Sequence, residues 1–116
     1  MTTADPLCPV CGQPATVSYT QYGVRHAHCG LWSWDGKPLV DEATHEARKD
    51  AHHAFDTLWR GPAKIIQRGH AYRLLREELG LSKEACHMAE MDAETARLVP
   101  AAAARIRAQV LAADRE

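Results

Sequence analysis

The feature that most constrains this chain is a pair of short motifs near its start. Cys8-Pro9-Val10-Cys11-Gly12 comes first, and after thirteen intervening residues His26-Ala27-His28-Cys29 answers it. Two residues between ligands let one turn of backbone present both to a single ion. Zn²⁺ takes thiolate sulfur and imidazole nitrogen at tetrahedral angles. Cys8, Cys11, His26 and Cys29 are therefore the expected ligands of one structural zinc ion, with His28 the alternative to His26. His26 has the better spacing, because adjacent residues such as His28 and Cys29 rarely both reach one tetrahedral ion. Four protein ligands leave no open position for water, so the site should be structural. A Cys-x-x-Cys can also be a redox pair, but no thioredoxin-like strand precedes this one.

The rest of the chain organises itself around that metal-closed knuckle. Residues 1–7 read as a loose arm. Residues 15–19 and 24–28 are rich in β-formers, and Gln21-Tyr22-Gly23 between them reads as a hairpin turn. Residues 31–34 make a third short strand, ended by the strong turn Asp35-Gly36-Lys37-Pro38. Apolar or small residues at Val40, Ala43, Ala47, Ala51, Ala54, Phe55 and Leu58 then fall close to a period of 3.6, the signature of a long helix that Gly61-Pro62 ends. Ala71, Leu74, Leu75 and Leu79 give a second apolar stripe. It implies either a break near Gly69 or a helix that begins around Gln67, with Gly80 as its C-terminal cap. Ser82 reads as the N-cap of a short helix over 83–88, Asp92 as the cap of another over 93–99, and Pro100 as the start of an Ala-rich terminal helix. The expected fold is α+β and mostly α: a zinc knuckle with a β-hairpin over residues 1–37, packed on a four- to five-helix body over 38–116.

These residues carry a resemblance. The Cys8-to-Gly12 motif, Tyr22-Gly23, the second ligand pair and Lys37-Pro38-Leu39 are similar to a phage and bacterial family described only as a zinc-finger-containing domain of unknown function. So are Ala51-His52-His53-Ala54-Phe55-Asp56-Thr57-Leu58-Trp59, Ala71-Tyr72-Arg73-Leu74-Leu75 and Glu84-Ala85-Cys86-His87-Met88. The likeness spans roughly residues 8 to 99, and the Ala-His-x-x-Phe-Asp-x-Leu-Trp run is its most specific part. The family's second pair is usually Cys-x-x-Cys, whereas here its first position is His26, a conservative change for zinc. The resemblance implies the metal and the two-part layout, and it brings no activity with it.

Two weaker constellations remain. His45, Lys49, His52 and Asp56 share a helix face, and His52, Asp56 and His87 could build an open, water-activating metal site if the helices folded back. A histidine–aspartate pair at i, i+4 is more often a surface hydrogen bond, and Cys86 more often a small buried hydrophobe. The second constellation is basic. Arg60, Lys64, Arg68, Arg73 and Arg76 fall between Thr57 and Arg76 with no acidic residue among them. Read functionally they are a phosphate-contacting face, and read plainly a solvated one. The net charge of −1 supplies no global basic field. Trp32 and Trp34, on one face of a short strand, read as a packing or partner-contact surface.

The composition excludes a membrane span, and Thr2 to Pro6 offer neither a basic start nor an apolar core, so no signal peptide is expected. Four cysteines without such a signal read as metal ligands or thiols. The expectation is a small cytoplasmic accessory protein, encoded by a phage or mobile element, that works by binding and not by turnover. A protein complex of the host, such as a defence complex, is the first partner expected. Nucleic acid bound through residues 60–76 is the alternative, and a metal-dependent hydrolase or nuclease the second alternative. A homodimer could form through Ile106, Val110 and Leu111.

Overall fold

The computed structural model describes residues 6–114, so the arm expected over residues 1–7 lies outside the described residues up to position 5. The chain separates into two compact units, Met1–His45 and Glu46–Glu116.

The first unit is a three-stranded antiparallel sheet in the order β1-β2-β3, with β1 at Thr16–Thr20, β2 at Gly23–His28 and β3 at Leu31–Trp34. Thr20 pairs with Gly23, so Gln21 and Tyr22 alone make the turn. Gly23 has a φ of +131°, and a Cβ there would lie 3.3 Å from Asp35 Oδ1, so this position needs glycine. The outer edge of β3 is partly closed by Val40, whose amide and carbonyl both bond Trp32. Trp32 stacks on His45 with ring centroids 3.6 Å apart and donates its indole N–H to Glu42. The tryptophan thus packs on the first turn of the following helix, as the i, i+2 placement of Trp32 and Trp34 suggested.

That helix, α1, is Glu42–Asp56, and the boundary between the units falls inside it. Asp41 caps it, its carboxylate accepting from the Thr44 amide at 2.8 Å. In the second unit, α1 buries Ala47, Ala51 and Phe55. The helix α2 is Arg68–Leu79, which takes the start around Gln67 of the two the stripe allowed, and ends on Gly80 at φ +67°. The helix α3 is Ala93–Asp114 and packs on α2. The core gathers Phe55, Leu58, Leu75, Met88, Val99 and Ile106, each essentially inaccessible to solvent. Full burial of a side chain of this size contributes about 1.5–3 kcal/mol.

The body has three α-helices among the described residues, not four or five. Two expectations account for the difference. Ser82 does cap a turn, accepting from the Ala85 amide at 3.1 Å, but no helix grows from it, and only a 3-10 turn at Met88–Glu90 follows. The helices expected on either side of Pro100 are one continuous helix. An internal proline costs about 3 kcal/mol. Ala96, Val99, Ala102, Ala103 and Ile106 lie buried on one face before and after it, and that burial offsets the cost. Ile106 and Val110 pack into this core, while Leu98 and Leu111 stay exposed.

Candidate metal centre

Two Cys-Gly steps build the site. The first follows a tight turn in which the Gly12 amide donates to the Cys8 carbonyl at 2.8 Å, with Gly12 at φ +76°. The second, Cys29-Gly30, ends β2. Both residues have positive φ, +50° for Cys29 and +78° for Gly30. The strands hold these turns side by side, since Thr16 pairs with Ala27.

The ligand atoms of Cys8, Cys11, His28 and Cys29 all lie within 4.8 Å of one another, the one such group of three or more among the described residues. Cys11 Sγ is 3.2 Å from His28 Nδ1, His28 Nδ1 is 3.2 Å from Cys29 Sγ, and the Cys11 and Cys29 sulfurs are 3.6 Å apart. Zinc–sulfur bonds of about 2.3 Å put tetrahedral ligands roughly 3.5–3.8 Å from each other. Three thiols and one imidazole at these separations fit one zinc ion by both donor type and spacing. Cys8 is buried, His28 half-buried, and Cys11 and Cys29 exposed, so the knuckle sits at the surface of its unit.

Proton affinities across the cluster are uneven. Burial pushes the Cys8 thiol up, but the amides of Cys11 and Val10 and hydrogen bonds with His28 and Cys29 outweigh it, bringing the thiol from 9.0 down to about 6. Cys29 is raised from 9.0 to about 11, first by its hydrogen bond with Cys11, then by the one with Cys8 and by burial. Metal binding displaces the proton from such a thiol.

The histidine in the cluster is His28, not His26. Residues two apart on a strand are about 6.6 Å apart along it, so His26 lies one full repeat back from the strand end. It is buried within the sheet, opposite Ser33. The argument against neighbouring ligands fails because Cys29 is left-handed. That conformation turns its sulfur back beside the imidazole of the preceding residue. Gly30 was the available signal, since the Cys29-Gly30 step repeats Cys11-Gly12.

A model of the zinc-finger-containing domain family matches residues 5–105. The chain belongs to that family. No curated protein and no solved structure matches it.

The other sequence candidates fall elsewhere. His52, Asp56 and His87 do not converge among the described residues. Asp56 pairs with Arg60 at 3.1 Å and lines one pocket with His53, while His87 lines another. The basic stretch is not one helix, because residues 57–67 between α1 and α2 are turns and irregular chain. Arg60 and Arg68 both approach the Trp59 ring, Lys64 donates to Gln67, and Arg73 is exposed on α2. Arg107 on α3 went unremarked in the sequence. Its guanidinium donates to the carbonyls of Ala63 and Thr57 at 2.9 and 3.1 Å, tying the irregular segment to α3.

Proposed function

We propose that this zinc-binding protein acts by contacting a partner protein through its sheet, with the ion serving only to hold that sheet in shape. The observation that carries the reading is the exposure of β1 and the hairpin tip. Tyr19 is 85% and Tyr22 78% exposed, and four of the five β1 residues are open to solvent. β1 is also an edge strand, and among the described residues no neighbouring strand takes up its outer amides and carbonyls. Large aromatics beside a free strand edge suit the addition of an extended segment from another protein. Tyrosine is among the residues enriched where proteins meet. Four protein ligands close the metal's coordination, which supports binding over turnover.

The test is affinity capture from host-cell lysates, run with and without nuclease. The expected result is a protein retained in both, lost on Tyr19→Ser/Tyr22→Ser, with zinc content of the variant unchanged. Capture that disappears with nuclease and ignores the tyrosines would overturn it. That outcome would favour nucleic acid, a second reading supported by Arg68, Tyr72 and Arg76 at successive i, i+4 positions of α2. Retention on DNA or RNA would then fall with salt and be lost on Arg68→Glu/Arg73→Glu.

A further inference from the structure

The helical unit contains an open pocket of about 400 Å³ lined by Arg68, Gly69, Tyr72, Arg76, Lys83, Cys86 and His87. Three of these residues are cations and none is acidic. The ion pairs formed among the described residues are Arg60 with Asp56 and Arg105 with Glu78, so none of the described carboxylates pairs with Arg68, Arg76 or Lys83. Glu84 follows Lys83 in sequence but does not line the pocket. Three unpaired cations gathered around one concavity repel one another, and an anion seated between them removes that cost.

We propose that this pocket binds the phosphate group of a phosphorylated ligand, held by Arg68, Arg76 and Lys83. The guanidinium of Arg68 lies 4.9 Å from the Tyr72 ring centroid, which restrains it at the rim and lowers the ordering cost of a bidentate contact. The first turn of α2 borders the pocket through Arg68 and Gly69. It has no acidic residue and no side-chain cap, so no side chain of that turn competes there with an anion. Gly69 carries no Cβ, and nothing stands within 4 Å of where one would be. The volume is that of a small-molecule site. Cys86 does not make the site catalytic. It is buried, and burial pushes its thiol up, only partly countered by Arg76. The site lies wholly within the second unit and does not depend on the protein-contact reading of the sheet. The phosphate could be carried by a free nucleotide or by the backbone of a single strand.

Titration of the zinc-loaded chain with inorganic pyrophosphate, ATP and a short oligothymidylate, followed by amide chemical shifts, tests this. Saturable shifts confined to Arg68, Gly69, Tyr72 and residues 83–87 are expected. Lys83→Gln and Arg76→Gln should each weaken binding about tenfold, while Arg97→Gln leaves it unchanged. Binding of pyrophosphate and ATP assigns the phosphate to a free ligand. Pocket-centred binding of the oligonucleotide alone assigns it to a strand. Either outcome supports the site. Absence of binding for all three probes at low salt would overturn it. So would diffuse shifts that Arg97→Gln weakens as much as Lys83→Gln does. Lys83 is exposed, so its substitution leaves the core intact and keeps the test independent of folding.

Discussion

Around the zinc cluster the described residues that form a buried hydrophobic cluster are Cys8, Ala15 and Leu39, and one of the three is a ligand. In the helical unit fourteen residues form one buried cluster. A three-stranded sheet with so little apolar interior cannot be held by burial alone, whereas three helices closing on Phe55, Leu75 and Ile106 can. One chain thus uses two sources of stability, and each should fail under a different insult.

Removing the metal should have the largest effect. Chelation, or Cys8→Ser/Cys11→Ser, is expected to abolish the dispersed amide signals of residues 7–40 while the helical signals of residues 68–114 persist. Loss of both sets together would break the comparison. The converse insult is Leu75→Ala, which empties a fully buried position in the helical core. It should cost about 2–5 kcal/mol, read by chemical denaturation of the helices, with one zinc still bound per chain. A finer test separates the two histidines. His28→Ala should disturb the tetrahedral absorption of a cobalt-substituted site, and His26→Ala should leave its ligand set intact. Arg107→Ala is smaller still. It removes contacts to Thr57 and Ala63, so about 1–2 kcal/mol should be lost from the helical unit alone.

The smallest effect concerns the cap of α3. Asp92 accepts from the Thr95 amide at 2.7 Å, and that hydrogen bond holds its carboxyl below the ordinary 3.8. A depressed carboxyl stabilises the fold above its unfolded pKa of 3.8 and loses that contribution as pH falls through the lower folded value. The melting temperature of Asp92→Ala should therefore lie a few degrees under the parent at pH 6, and the gap should narrow as the pH drops below 3.8.

Comparison of the two units also shows where the sequence was legible. The strands and the C-terminal end of α2 followed from local signals: β-formers around a hairpin turn, an apolar stripe and a glycine free to adopt φ +67°. The zinc chemistry followed too, because thiol and imidazole spacing expresses it directly. Local signals misled where a longer-range term opposed them. Ser82 caps its turn as its side chain dictates, yet residues 83–85 remain a single turn and no helix extends from it. Pro100 reads as a boundary, yet the buried residues on both sides of it carry the helix through.

By itself, then, the sequence determined the kind of metal site, the number of strands and the two sources of stability. These depend on residue type and on spacings of a few residues. Only the tertiary structure decided that His28 takes the place offered to His26, because that turns on the backbone angle of Cys29. Only it brought Arg68 and Arg76 to Lys83 and His87 around one pocket. Residues on α2 and on the chain beyond Gly80 meet there through the turn between them, which the spacing of basic residues along the sequence does not encode.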